Sequence, residues 1–240
     1  MLYLIGLGLN EEGISNEGLK AVSKCSKIYL EGYTVDFPYK IEKLEKVIGK
    51  EITTLVRAGV ESEKLINEAK DENVALLIYG CPLFATTHMT LILDAKREEV
   101  KTKVIYSASV FDAIGESGLQ LYKFGKISSM PKWQKNFEPD SYLDFPVQNK
   151  SIGAHSLILI DIGLDFDSAL DQLEKSLERR NIKINKLLVC SNLGTSKSTM
   201  VYGKIEDLRI KAGKIELPYC FIIPGETHFM EKEALEDFEV

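Results

Sequence analysis

Apolar runs of strand length recur along this chain, separated by stretches whose apolar positions return every three or four residues. In the first half the runs are "LYLIGLG" (2–8), "KIYLEGY" (27–33), "EITTL" (51–55), "VALLIYG" (74–80) and "KVIYS" (103–107). The amphipathic stretches 16–25, 38–48, 62–70 and 86–97 lie between them and predict helices. Strands that are apolar throughout, rather than alternating, are buried on both faces. Their alternation with helices therefore predicts a mostly parallel sheet with a helical layer on each side.

The second half reads differently. A helix is predicted near 111–120, followed by "KISSMP" and by "KWQKNFEPDSYLDFPVQNK" (132–150), where aromatics and prolines mix with charges in the manner of a surface excursion. Strands return at 155–163, 186–194, 199–205 and 219–225, with a charged helix over 168–180. The alternation in "STMVYGKIEDLRI" predicts a second, partly antiparallel sheet. The pattern as a whole predicts two α/β domains, 1–110 and 111–240, the first with a mostly parallel sheet and the second with a mixed one.

Composition narrows the function classes. With 240 residues, 45% of them hydrophobic and 28% charged, the chain has the make-up of a folded, water-soluble protein. The net charge is -6 and the 30 Lys and Arg are dispersed, so no nucleic-acid footprint is expected. No apolar run approaches the ~20 residues of a membrane span, and "MLYLIGLG" lacks the basic and small-residue flanks of a secretory signal; the expected location is the cytoplasm. The four cysteines (25, 81, 190, 220) and three histidines (88, 155, 228) are far apart and form no ligand-spaced motif. Reduced thiols and no metal site are expected.

Two loops carry the candidate chemistry. In "IGLGLNEEG", Gly6 and Gly8 stand at the carboxyl end of the first strand, where open α/β sheets bind ligands; Glu11 occupies the third position of a dinucleotide fingerprint and disfavours NAD. In "GCPLFATTH" (80–88), Gly80 ends a strand, Pro82 fixes the turn, and Thr86 or Thr87 can cap the helix that follows. Each loop alone reads as a tight turn. Both, however, end strands at the same edge of one sheet, so together they can line one pocket.

Taken with "EGYT" (31–34), "SASVFDAIGESGLQLYKFGK" (107–126), "GAHSLILIDI" (153–162) and "IIPGETH" (222–228), these loops resemble the diphthine synthases, the diphthamide-pathway methyltransferases of the tetrapyrrole-methylase superfamily. The resemblance runs from Leu2 to about His228. It implies two α/β domains with S-adenosylmethionine in the cleft between them, and a homodimer. It also implies methylation, up to three times, of the amino group of the 3-amino-3-carboxypropyl histidine of translation elongation factor 2. Carried over position by position, the cofactor contacts fall on Leu9, Cys81, Phe84, Ser109, Val110, Ile160, Leu193 and Tyr219. Cys81 stands where the family has Asp in a Gly-Asp-Pro motif.

Other residues have both a chemical and a structural reading. His88 is the candidate catalytic base, although a lone histidine also caps or packs. Glu31 and Tyr33 can face the substrate, or simply mark an exposed strand end. Tyr122, Lys123 and Lys126 can meet a protein substrate or form a solvated rim, and Arg57 can fork onto a carboxylate or stay an ordinary surface side chain. Asp161, read inside an apolar strand, requires a partner. Trp133 and Tyr142 are expected to pack in a satellite core. Two further readings stay open: another methyltransferase of the superfamily acting on a tetrapyrrole or on ribosomal RNA, and a non-catalytic binding module.

Overall fold

The computed structural model describes residues 1–240, which form two compact units, Met1–Asp112 and Ala113–Val240. The first unit runs β1 (Leu2–Gly6), α1 (Asn16–Ser23), β2 (Lys27–Glu31), α2 (Ile41–Ile48), β3 (Thr53–Leu55), α3 (Arg57–Val60), α4 (Lys64–Asp71), β4 (Val74–Ile78), α5 (Met89–Arg97), β5 (Thr102–Ile105), and then a single turn α6 (Val110–Ala113) that leads into the second unit. Its five strands are all parallel, in the order β3-β2-β4-β1-β5. Because successive side chains of a strand point to opposite faces, Leu2, Leu4, Tyr29, Leu76 and Ile78 enter one core while Tyr3, Ile5, Ile28, Leu30 and Leu77 enter the other. Helices α4 and α5 cover the first face with Leu65, Ala69, Leu91 and Ala95; α1 and α2 cover the second with Ala21, Val22 and Leu44. Each fully buried leucine contributes roughly 2 kcal/mol, which explains why these strands carry no polar alternation.

The second unit contains β6 (Ser128–Met130), α7 (Asp144–Ser151), β7 (Ser156–Ile160), α8 (Phe166–Arg179), β8 (Leu187–Ser191), β9 (Thr199–Gly203), α9 (Ile205–Lys211), β10 (Tyr219–Ile223) and α10 (Phe229–Glu236). Its sheet has the order β6-β7-β10-β8-β9, with β6 and β7 parallel and the other pairs antiparallel. The α/β class, with one parallel and one mixed sheet, is as the hydrophobic pattern predicts. Ser15 caps α1 by accepting from the Gly18 N–H at 3.0 Å, and Asp165 caps α8 by accepting from the Ser168 N–H at 2.9 Å.

Several expectations are corrected. The predicted helix at 111–120 is broken into one α turn and one 3₁₀ turn (Ile114–Ser117), ended by Gly118 at φ 78°. The 132–150 stretch is not only surface: Tyr142 and Leu143 are buried in the second core, and α7 closes the segment. Asp161 lies past the end of β7 and is exposed; its carboxylate accepts from the Lys132 and Ile162 N–H groups at 2.9 and 3.0 Å, so it shapes a turn. Cys190 and Cys220, far apart in sequence, face each other across β8 and β10 as free thiols. No helix is long and apolar enough to cross a membrane.

Candidate active site

The carboxyl ends of β4, β1 and β5 are neighbours, and their loops are tied together by backbone bonds. Gly8 N–H donates to the Gly80 carbonyl at 3.2 Å and Gly80 N–H donates to the Gly8 carbonyl at 2.9 Å, a two-way bridge between the two glycine loops. Both glycines sit at positive φ, 70° and 72°, which other residues adopt only with strain. Gly6 also has to be glycine: a Cβ there would stand 2.7 Å from the Gly80 oxygen and 2.8 Å from Pro82 Cδ. The third loop joins through the Ser107 hydroxyl, which donates to the Gly13 carbonyl at 2.8 Å, and the Tyr79 hydroxyl donates to the Leu9 carbonyl at 3.1 Å.

Five of the eight predicted contacts gather on this rim. Leu9 is buried beside the bridge, Cys81 is half-buried directly after it, and Phe84 is 42% exposed with its ring against Phe111, 3.8 Å between centroids. Ser109 is buried; its N–H and hydroxyl both donate to Asp112, at 2.6 and 2.9 Å, which fixes the turn carrying Val110. Ile160, Leu193 and Tyr219 belong to the second unit, where they share one end of its sheet: the end of β7, the loop after β8 and the start of β10. Tyr219 is a core side chain, its hydroxyl donating to the Leu164 carbonyl at 2.9 Å and its ring packed with Phe166 and Phe221. Burial pushes its phenol well above the usual range.

The helix after the second glycine loop starts at Met89, not at Thr86. Its N-cap is His88, which makes no capping bond, so neither threonine plays the expected capping part. His88 instead lies buried with Nε2 3.0 Å from Glu31 Oε1, and Glu31 is buried too rather than an exposed strand end. The sequence weighed these two residues separately and missed that they meet. Tyr33, pushed up to about 12 by burial and then by the Glu31 and Glu61 charges, stands nearby, with the Arg57 guanidinium 5.1 Å over its ring.

A second polar centre lies in the Ala113–Val240 unit. Glu231, buried at the first turn of α10, accepts from the Gln120 N–H at 3.0 Å and the His228 N–H at 2.7 Å, and pairs with Lys123 Nζ at 2.5 Å and His155 Nε2 at 3.0 Å. The Gly225 N–H donates to His155 Nδ1 at 2.9 Å, which assigns the ring proton to Nε2. Lys123 is therefore a structural ion-pair partner and not part of a solvated rim. A cavity of about 430 Å³ in this unit, lined by Leu143, Val147, Lys150, Ile184, Tyr202 and Glu226 among others, includes none of the predicted site residues. No cluster of three or more His, Cys, Asp and Glu side chains is placed to hold a metal ion.

Residues 1–209 match the family model of Tetrapyrrole (Corrin/Porphyrin) Methylases. The diphthine synthase of Methanocaldococcus jannaschii is 40% identical over 252 aligned residues, spanning 98% of each chain. The chain belongs to the diphthine synthase family of tetrapyrrole methylases. Diphthine methyl ester synthase of Saccharomyces cerevisiae is 37% identical, over 99% of this chain and 89% of its own. A solved diphthine synthase structure superposes with a TM-score of 0.88 at 32% identity, covering 99% of this chain and 95% of its own. As a diphthine synthase family member, the chain is a methyltransferase of diphthamide biosynthesis, and the glycine bridge lies within the residues that match the family model.

Proposed function

We propose that the chain uses S-adenosylmethionine to methylate the amino group of the 3-amino-3-carboxypropyl histidine of translation elongation factor 2, three times over, as a cytoplasmic homodimer. The observation that carries this reading is the two-way Gly8–Gly80 bridge, which turns two strand-end loops into one nook beside Leu9, Cys81 and Phe84. The residues present suit the cofactor. Gly6 lets the Gly80 carbonyl, Pro82 and Ser107 pack directly against the end of β1, and the exposed face of Phe84 and the apolar Leu9 and Val110 suit a nucleoside gripped by packing, with polar edges met by backbone. Ile160, Leu193 and Tyr219 are the remaining cofactor contacts that the family resemblance implies.

When bound, S-adenosylmethionine supplies a methyl group activated by its sulfonium, which makes a direct displacement easy once nucleophile, carbon and sulfur are in line. The protein's part is orientation and exclusion of water, which can supply most of the acceleration. Leu9, Phe84 and Val110 exclude water, and the tied loops hold the site in one arrangement. Two curated relatives of nearly equal identity carry different product names, diphthine and diphthine methyl ester. The amine reading is favoured here because the buried polar pair beside the nook contains a carboxylate, which repels a carboxylate acceptor and attracts an ammonium.

Purified protein given S-adenosylmethionine and elongation factor 2 bearing the amino-carboxypropyl histidine is expected to add mass in methyl steps, ending at three. Unchanged substrate mass, with cofactor binding established by calorimetry, would shift the reading to a tetrapyrrole acceptor; no binding at all would leave a non-catalytic module. Cys81→Asp restores the carboxylate that the family motif carries. It is expected to tighten cofactor binding about tenfold, because a carboxylate accepts a charge-assisted hydrogen bond and a thiol does not. Equal dissociation constants would mean that backbone atoms of this turn make the contact.

A further inference from the structure

Glu31 and His88 are left unused by the cofactor reading. Glu31 ends β2 and His88 immediately precedes α5, so both stand at the carboxyl edge of the parallel sheet, where β2 neighbours the β4 strand that carries Gly80. They are 1% and 2% exposed, and Nε2 lies 3.0 Å from Oε1. Neither ring nitrogen of His88 makes an aligned hydrogen bond, Thr86 Oγ1, two residues upstream, is buried without one as well, and the Tyr33 hydroxyl is the other polar group that meets the Glu31 carboxyl. Buried polar atoms without partners cost stability, most of all on a carboxylate. Poorly paired groups gathered in one segment pair are a feature that marks a candidate site. The titratable and charged groups around the pair are Tyr33 beyond β2 and, on and after α3, Arg57 and Glu61, which approach each other to 3.7 Å.

We propose that Glu31 and His88 receive the acceptor amine and take up its proton. The proposal rests on the amine-methylation reading above and adds to it the residues that make the nucleophile. At neutral pH the acceptor arrives as an ammonium ion, which has no lone pair. The Glu31 carboxylate is its counter-ion. One ammonium N–H bond breaks, its electron pair staying on the substrate nitrogen, and the proton bonds to His88 Nδ1, the ring nitrogen turned away from Glu31. The resulting imidazolium keeps its Nε2–H against the Glu31 carboxylate, then loses the proton to water before the next round. Three methylations release three protons, so the acceptor has to reset twice. The amine reaches the pair past the 80–88 turn, where Leu83 and Ala85 occupy the left-handed region at φ 68° and 53°, a departure from ordinary backbone of the kind that gathers at functional sites.

The test uses His88→Gln, Glu31→Gln and the conservative Glu31→Asp in the full chain. Single-turnover methyl transfer to elongation factor 2 bearing the amino-carboxypropyl histidine is followed from pH 6 to 9 at saturating S-adenosylmethionine. His88→Gln is expected to be at least about 100-fold slower at pH 7. Its rate should climb about tenfold per pH unit as free amine forms unaided, while the wild type varies far less. Glu31→Gln should in addition bind the protein substrate more weakly, and Glu31→Asp should keep the wild-type pH profile. Cofactor dissociation constants should stay within about twofold, and without cofactor the neutral variants should melt at or above the wild-type temperature, since each removes an ill-paired buried group. Variants that lose the same factor at every pH, melt several degrees lower, or keep the wild-type rate would overturn the proposal. A wild type that transfers no methyl to this acceptor would overturn the functional reading as well; wild-type transfer with unaffected variants overturns this inference alone.

Discussion

Glu231→Gln is expected to lower the melting temperature of the chain by about 10 °C, an effect of roughly 3 kcal/mol. All four neighbours of this carboxylate are donors: the Gln120 N–H and His155 Nε2 meet Oε1, and the His228 N–H and Lys123 Nζ meet Oε2. An amide of the same shape replaces one oxygen with a group that is itself a donor, so two of the four contacts become donor against donor at a fully buried site. Burial alone would raise the Glu231 carboxyl, but the Lys123 bond, the two N–H groups and His155 outweigh it and hold the carboxyl at about 2. A carboxyl held below its unfolded value of 4.5 contributes stability that is fully present above 4.5 and is lost as pH falls through about 2; the shift corresponds to roughly 3 kcal/mol at most. His155, lowered chiefly by burial, adds to the same acid limb at higher pH, because its unfolded form takes up a proton that the folded form resists. Stability measured from pH 7 down to pH 3 should therefore fall steeply in the wild type and more gently in Glu231→Gln. A melting point within about 2 °C of wild type, or parallel acid limbs, would mean that this network does not hold α10 and the 120–125 segment together.

The parallel sheet was legible because burial on both faces leaves one simple mark, an apolar run such as "VALLI", and the helices between the runs had room for nothing else. The glycine bridge was half legible. Gly6, Gly8 and Gly80 could be assigned to one sheet edge, and the structure adds that Gly8 and Gly80 bond each other. What failed were boundaries and non-local pairings. Thr86 and Thr87 have the chemistry of caps, but left-handed backbone at Leu83 and Ala85 reshapes the turn, and the helix starts after His88. Asp161 was placed within a strand that ends one residue earlier. Glu31 read as an exposed strand end, because nothing in "EGYT" signals that a histidine from beyond β4 closes over it. Lys123 and His155 carried no sign of Glu231, since their meeting depends on where α10 docks. Patterns of period two or three to four report the burial of each element; they do not report which distant side chain fills a polar position.

Gly6→Ala is expected to weaken S-adenosylmethionine binding about 100-fold and to destabilise the chain by about 3 kcal/mol. The added methyl would meet the Gly80 oxygen at 2.7 Å, Pro82 Cδ at 2.8 Å and Ser107 Cβ at 3.0 Å, and none of these is the free end of a flexible side chain. To relieve the clash the turn after β4 has to move away from β1, which strains or breaks both bonds of the Gly8–Gly80 bridge, at 3.2 and 2.9 Å. Two such bonds are worth about 1 kcal/mol each, and overpacking adds about 1–3 kcal/mol. The displaced turn carries Cys81 and Phe84, and binding then has to restore their positions against the clash; a separate cost of about 2.7 kcal/mol for that gives the hundredfold change. Gly49→Ala is the control. Gly49 also has a positive φ, 71°, but a Cβ there meets nothing within 4 Å. It should therefore cost about 1 kcal/mol from backbone conformation alone and leave cofactor affinity within about twofold. Calorimetric titration of both variants separates the two effects. Wild-type affinity in Gly6→Ala would mean that the cofactor does not depend on the bridged loops, and the nook at the carboxyl edge of the parallel sheet would lose its claim to be the methyl-donor site. A hundredfold loss confined to Gly6→Ala would tie binding to the close approach of two strand ends and not to loop stiffness in general.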